Sequence, residues 1–385
     1  MNQVRIGIIG VGNMGSGHAR YLNEGKIEGA VLAAVCDINP ERLDWAKENL
    51  ADTVERFDDA IVMLDSGKID AVIVAVPHYF HPKYVMAAAE RGIHAISEKP
   101  AGVYTKQARE MIEFAKEKGI VFSMMFNQRT NPCYQKLREM VQGGELGQLK
   151  RTNWIITDWY RTQAYYNSGG WRATWSGEGG GVLINQCPHQ LDLWQWTCGM
   201  PKRVRAFCQF GHYHDIEVED NVTAYVEYEN GATGVFITTT GEYPGTNRFE
   251  IIGEMGKVVI EGTTLTFYKN EVSDMEYSRT ADKGFGKIEN KPEVYTFEDR
   301  GPQHQGITQN FVNAILHGEK LLGPGEEGIY GLTISNAMHL STWLDDWVDI
   351  PFDEDLFLEK LNERVAASQE KKTVAAKVES TEGTY

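Results

Sequence analysis

The stretch VRIGIIGVGNMG, Val4 to Gly15, decides how the rest of the chain is read. An apolar run of strand-like residues ends in Gly10-Val11-Gly12-Asn13-Met14-Gly15 and passes directly into a segment with helical spacing. The first glycine permits a tight turn and the second lets a pyrophosphate approach the backbone. The third lets helix and strand pack closely, and the helix N-terminus then faces the phosphates. Alone, such a motif is weak evidence. Here Asp37 closes the next apolar run, VLAAVCD, 25 residues beyond Gly12. A carboxylate at that place accepts hydrogen bonds from an adenosine ribose diol and repels a 2′-phosphate, so the spacing predicts a site for NAD in preference to NADP.

Working outward, Ala71–Val76, Ile93–Ser97 and Ile120–Phe126 are further β-rich runs, and Pro40–Leu50, His81–Gly92 and Thr105–Gly119 have helical periodicity. Nearly continuous apolar strands alternating with helices imply a parallel sheet covered on both faces. After Phe126 the pattern changes. One helix is expected at Cys133–Gln142, then strands at 150–158, 204–210, 222–228, 234–240, 249–253 and 257–261, with Asn230-Gly231 as a hairpin turn. Helices return at 305–317, 326–346 and 353–368. The expected architecture is therefore α/β followed by α+β: a Rossmann domain over 1–126, a mainly antiparallel second domain over 127–368, and a polar tail over 369–385, either mobile or an arm.

Bulk properties narrow the function. At 385 residues two domains are the natural expectation. The formal charge of −16 argues against a nucleic-acid partner, which needs a concentrated cationic face. No apolar run reaches the roughly 20 residues that span a bilayer, and the N-terminus shows no signal-peptide pattern, so a cytoplasmic location is expected. Cys36, Cys133, Cys187, Cys198 and Cys208 are scattered and odd in number, which favours reduced thiols over disulfides or zinc. His212 and His214, in GHYHDIEVED, lie among carboxylates, and a solvated loop there is favoured over a metal site; no metal is expected.

Chemistry concentrates at strand ends. Val76 and Pro77 follow the Ala71 run, where ligands bind in open α/β sheets, and His81 follows as a cofactor contact or a capping residue. Glu98-Lys99-Pro100 ends the next strand on the same rim. The proline limits the lysine backbone, so the ammonium can be held over a cleft, and a nearby nicotinamide cation would lower its pKa toward a useful acid–base range. Within GEGGGVLINQCPHQLDLWQW, Gly177 to Trp196, three glycines precede a short apolar strand and then Asn185, His189 and Asp192. Pro188 suits a first helical position, which puts His189 and Asp192 one turn apart on one side. Six of the nine tryptophans, Trp154, Trp159, Trp171, Trp175, Trp194 and Trp196, fall in this region with Tyr160, Tyr165 and Tyr166. Most are expected in the core. Any that line the cleft suit the C–H faces of a pyranose, with Asp158, Arg161, Arg172 and Asn185 for its hydroxyls.

With these residues in order, joined by Asn127 and Arg129 in FNQRTNP and by Trp171-Arg172, the sequence resembles the glucose-fructose oxidoreductase / inositol dehydrogenase / MocA (Gfo/Idh/MocA) family over most of its length. The resemblance implies a Rossmann domain followed by a large open antiparallel sheet whose helix-facing side holds a sugar or polyol. It implies NAD contacts from Gly10, Gly12, Asn13, Met14, Asp37, Val76, Pro77, His81, Glu98, Lys99, Asn127, Trp171 and Arg172. Lys99 takes the catalytic lysine's place and His189 that of the proton-relaying histidine, with Asp158, Arg161, Arg172 and Asn185 beside the substrate and Asp192 behind the histidine. The family frequently has aspartate four residues before that histidine, where this chain has Asn185, so a carboxylate relay through that position is not expected. The implied activity is NAD-dependent oxidation of a ring secondary alcohol of a sugar, glycoside or cyclic polyol, with glucoside C3 as one possibility, in a homodimer or homotetramer. The alternatives are an NAD-dependent glycosidase acting by transient oxidation and elimination, and a nucleotide-sensing regulator, which the joint presence of Lys99 and His189 disfavours.

Overall fold

A computed structural model describes residues 2–369. Apart from Gln369, the expected polar tail lies outside the described residues. The N-terminal part contains six parallel strands: β1 (Val4–Ile9), β2 (Ala30–Cys36), β3 (Glu55–Phe57), β4 (Ala71–Val74), β5 (His94–Ser97) and β6 (Phe122–Met124), in the order β3-β2-β1-β4-β5-β6. The valines and isoleucines of β1 and β4 are buried, as a sheet covered by helices on both faces requires. Strand order reverses between β1 and β4, opening a crevice at their carboxyl ends. Strand β3 and the helix Ala60–Asp65 are too short for periodicity to reveal; Asp59, whose carboxylate accepts from the N–H groups of Ile61 and Val62, is that helix's one sequence signal.

The core on one side of this sheet includes residues far beyond 126. Ile307, Phe311 and Val312, from the helix Gln303–His317, pack with Val4, Ile6, Ile8, Leu22 and Leu32. Gln309 fastens the same helix by exchanging two hydrogen bonds with the Glu28 backbone. The chain thus crosses the expected division at residue 126 and returns.

The second sheet has nine described strands: β7 (Leu149–Ile156), β8 (Arg203–Phe210), β9 (Glu219–Glu227), β10 (Thr233–Thr239), β11 (Asn247–Gly253), β12 (Gly256–Glu261), β13 (Thr264–Asn270), β14 (Asn290–Thr296) and β15 (Val348–Asp349). Their order is β14-β13-β12-β11-β7-β10-β9-β8-β15. Neighbours are antiparallel except β7 with β10, which run parallel because β7 enters from the first domain between two later hairpins. Asn230-Gly231 turns β9 into β10 as expected. One face of the sheet buries Trp154, Phe236, Phe249 and Phe267 beneath helices Pro132–Gln142, Pro188–Cys198 and Gly328–Leu344, with Trp154 stacked on Phe249 at 4.1 Å and Trp194 on Phe236 at 5.4 Å. The other face exposes Phe207, Tyr225 and Tyr268.

The short strand expected after the glycine triplet is instead a hydrogen-bonded turn: Asn185 N donates to the Gly181 oxygen and Cys187 N to the Val182 oxygen, both at 2.9 Å. Val182, Leu183 and Ile184 are fully buried, and a short buried apolar run reads the same in a strand or a turn. The turn is held by the Glu219 carboxylate, which accepts from the N–H groups of Gly181 and Leu183.

Candidate active site

The glycine loop has the geometry its residues imply. Gly10 has φ +89°, and a methyl group there would lie 2.4 Å from the Ala75 oxygen. A methyl group on Gly15 would lie 1.8 Å from the Gly10 oxygen, so only glycine lets this helix sit on its strand. Gly12, the N-cap of helix Asn13–Asn23, has no side-chain cap, and a methyl group on it would meet nothing within 4 Å. The helix start therefore faces open space, as a phosphate cradle requires. Asp37 accepts from Val11 N at 2.7 Å and from Asn39 N at 2.9 Å, leaving lone pairs on both oxygens for a ribose diol. Arg42 Nε donates to the Val11 oxygen at 2.7 Å, fixing the loop from its other side. These residues fit a dinucleotide.

The opposite rim is built on β5. Glu98 is buried; its carboxylate meets His18 Nε2 at 2.7 Å and the Lys99 N–H at 3.2 Å. Burial raises its pKa, but the hydrogen bond and charge of His18 outweigh it and hold the carboxyl at about 2. Each Glu98 oxygen thus accepts one hydrogen bond from a protein group, and the residue holds the rim against helix Asn13–Asn23. His18 continues through Tyr21 to Thr308 on the returning helix, each step 2.8 Å. His81 sits between the loop after β4 and the loop after β5, its ring nitrogens 2.7 Å from the Val76 and Pro100 oxygens; burial lowers its pKa, and a neutral ring donates to one of the two.

Lys99 is half-buried, and its Nζ donates to the backbone oxygen of Asn185 at 2.7 Å. Burial lowers its pKa, opposed by Glu98 and Glu178. His189, second residue of helix Pro188–Cys198, is 3% exposed, and neither ring nitrogen has a protein partner. Burial and then the Lys99 charge push its pKa well below the usual histidine value, so it is neutral at neutral pH. Asp192 does not stand behind His189. Its carboxylate takes both Nε and Nη2 of fully buried Arg129, at 2.8 and 2.6 Å, because the planar guanidinium matches it in two places.

The segment Trp171–Gly181 is tied to this rim through Glu178 and Trp175, the latter accepting from the Tyr79 hydroxyl at 2.8 Å. Asn185 Nδ2 donates to the buried carboxylate of Glu178, and Arg172 lies 4.0 Å from the same oxygen. The guanidinium of Arg172 also covers the Trp171 and Tyr165 rings, 4.6 and 4.7 Å from their centroids. His78 Nδ1 lies 3.1 Å from the Glu178 backbone oxygen and its ring meets Trp171 edge-on. Arg161 covers Trp159 and Tyr165, while Asp158 is exposed at the end of β7. Trp159 and Trp171 are half-buried, whereas Trp154, Trp175, Trp194 and Trp196 belong to the core. Asn127 is buried, its amide donating to Gln303 at 2.8 Å and its Oδ1 without a protein partner.

Three residues near the pocket escaped the sequence. Glu178 stands inside the glycine-rich stretch, and a carboxylate flanked by glycines was its signal. His78 is hidden beside His81 after β4. His304, whose pKa falls to about 4 through burial, interacts electrostatically with Glu98, His18 and Lys99 from a segment with no motif at all. Elsewhere, His214 bonds to Asp220 and to the Arg161 oxygen, each at 2.9 Å. Among the described residues no group of three His, Cys, Asp or Glu side chains is placed to hold a metal ion, and all five cysteines are free.

Family models agree with this architecture. Residues 4–126 match "Oxidoreductase family, NAD-binding Rossmann fold", and residues 134–259 match "GFO/IDH/MocA C-terminal domain". The D-glucoside 3-dehydrogenase of Escherichia coli is 32% identical over 249 residues, covering 59% of this chain and 68% of that protein. The scyllo-inositol 2-dehydrogenase (NAD(+)) of Bacillus subtilis is 26% identical over 268 residues, 67% of this chain and 74% of the relative. The WlbA dehydrogenase of Bordetella pertussis, solved with NADH and UDP-GlcNAcA, superposes with a TM-score of 0.76 at 26% identity, over 91% of this chain and all of its own. The chain belongs to the GFO/IDH/MocA oxidoreductase family and carries that family's NAD-binding Rossmann fold.

Proposed function

We propose that the protein oxidises a ring secondary alcohol of a sugar, glycoside or cyclic polyol to a ketone, or runs that step in reverse. The observation that carries this is His189, a buried neutral imidazole with both ring nitrogens free of protein partners, under the electrostatic influence of Lys99. A neutral ring nitrogen accepts the hydroxyl proton, which suits a general base working near neutral pH. Lys99 uses one N–H on the Asn185 oxygen and keeps two for the reacting oxygen, whose developing charge its ammonium stabilises. NAD, when bound, supplies the hydride acceptor. Gly12 and the following helix start receive its phosphates, and Asp37 receives the adenosine ribose.

The substrate lies between that rim and the Trp171–Gly181 segment. The half-buried rings of Trp159 and Trp171, each paired with an arginine, favour a pyranose or cyclitol over a small hydroxy acid. Oxidation at a glucoside C3 is the finer choice, supported by the E. coli relative. Residues 1–126 supply the nucleotide half and 127–368 the substrate half and subunit contacts. The exposed aromatic side chains of the second sheet support a dimer or tetramer, and five free cysteines suit the cytoplasm. Screening NADH formation across glucosides, inositols and free hexoses, with the ketone located in the product, tests the assignment. Aryl glycosides that release phenol without net NADH would instead show elimination.

A further inference from the structure

At position 185 the resemblance calls for a carboxylate and this chain has an amide. Asn185 nevertheless links the lysine to a carboxylate. Its backbone oxygen accepts from Lys99 Nζ at 2.7 Å, and its side-chain Nδ2 donates to Glu178 Oε1. Glu178 is 2% exposed; its Oε2 accepts from Ala173 N at 2.6 Å, and Arg172 Nη1 stands 4.0 Å from Oε1. Each oxygen faces an N–H and the group faces a cation, contacts that favour the ionised carboxylate against the cost of burying it. The loop is closely packed. A methyl group on Gly179 would lie 2.3 Å from the Val103 side chain, and one on Gly177 would lie 2.5 Å from the Trp171 oxygen.

We propose that Glu178 supplies, from the glycine-rich loop, the carboxylate that position 185 lacks: it is a positioning residue that fixes Asn185 against Lys99 and whose negative charge favours the ammonium form of that lysine. The inference rests on Lys99 acting as the ammonium that binds the reacting oxygen. The surrounding groups act on Lys99 in both directions, and Glu178 is one of those that oppose the lowering by burial. Burial lowers the Lys99 pKa, Glu98 and Glu178 raise it, Arg172 lowers it and Cys187 raises it. On Glu178, burial raises the pKa above the usual carboxylate value with a further push from Glu219, and Arg172, the Ala173 N–H and the Asn185 amide offset part of that rise in favour of the charged form. His189 faces Lys99 as a neutral ring.

The test compares wild type with Glu178→Gln, Asn185→Asp and the double variant that moves the carboxylate from 178 to 185. Glu178→Gln is expected to bind NAD normally, lose roughly tenfold in kcat, and shift the alkaline limb of kcat/KM for oxidation down by about one pH unit, because Lys99 then loses its proton at lower pH. The double variant should recover much of that shift, which a merely structural glutamate would not allow. An unmoved limb in Glu178→Gln, or no recovery in the double variant, overturns the proposal. The Lys99 midpoint is also read without substrate, from the pH dependence of its acylation rate followed by mass spectrometry. If no sugar or polyol is oxidised but that midpoint falls in Glu178→Gln, the functional assignment fails and the role of Glu178 stands. Normal turnover with an unchanged midpoint overturns Glu178 alone. Should Glu178→Gln not fold, Glu178→Asp, which draws the carboxylate back from Asn185, must lower the Lys99 midpoint, and an unchanged value overturns the proposal equally.

Discussion

Replacing Asp192 with Ala separates two roles that the sequence merges. The structure directs this carboxylate to Arg129, whose side chain is 0% exposed and has three further supports: the Leu322 oxygen at 3.0 Å, the Glu327 carboxylate, and the rings of Phe126 and Trp196 at 4.8 and 5.2 Å. Removing one member of a buried ion pair leaves an uncompensated charge and costs about 3–5 kcal/mol. Glu327 remains as a half-exposed partner, which places Asp192→Ala at the lower end, about 3 kcal/mol. At roughly 2–4 °C per kcal/mol for a unit of 150–250 residues, Tm should fall by roughly 6–12 °C. Asp192→Asn, which keeps one acceptor and loses the charge, should fall between. Scanning calorimetry measures the loss, and the pH dependence of kcat/KM shows whether His189 notices it. The acid limb should stay where it is, since Lys99, Glu98 and His304, not Asp192, set the electrostatics of that ring. A variant with unchanged Tm and a displaced acid limb would show that Asp192 serves the histidine after all.

Lys99→Ala should lower kcat by roughly 10²–10⁴ while leaving the NAD Kd within a few-fold, measured by turnover and titration; near-normal turnover would reduce Lys99 to a rim charge. NAD should bind at least about tenfold more tightly than NADP, about 1.4 kcal/mol, and Asp37→Ala should erase most of that preference; equal affinities in the wild type would remove Asp37 from the ribose site. For His189, burial lowers the folded pKa below the unfolded value near 6.5, so the base is already neutral at pH 7 and the acid limb of kcat/KM should lie below pH 6.5. By the same sign, the unfolded chain binds this proton first, so the residue's contribution to stability is fully present above about pH 6.5 and is lost as pH falls below it. His189→Ala should abolish most turnover and the limb together, and a retained limb would reassign the base.

The Rossmann half was legible because its strands are continuous apolar runs and its glycines are required by contacts one can name: Gly15 against the Gly10 oxygen, Gly10 against Ala75. Strands β13 and β14 were not. Val294 is 61% exposed and Pro292 interrupts the run, so the edge strand β14 has no strong alternation to read. In the pocket, helical spacing placed Asp192 beside His189, but a guanidinium 63 residues away is the better partner for a buried carboxylate. His81 was legible as a residue near the rim and illegible as a brace, because its two carbonyl partners come from separate loops. Glu178 shows the same limit. Sequence places it next to glycines, and only the folded loop places it against Asn185.

The helix Gln303–His317 sets an order of assembly. Ile307, Phe311 and Val312 cover apolar side chains of β1 and β2, and Thr308 ends the hydrogen-bonded line from Glu98 through His18 and Tyr21. During synthesis, the nucleotide-binding half emerges long before this helix exists, so its sheet waits with one face incompletely covered until the substrate half has been made. A fragment ending at residue 126 would expose that face and aggregate, and a peptide spanning 303–317 supplied in trans should restore solubility. The Glu98 rim is thereby tied to a segment made late in synthesis: a product truncated before residue 303 lacks the Thr308 hydroxyl that Tyr21 meets and the apolar cover of β1 and β2.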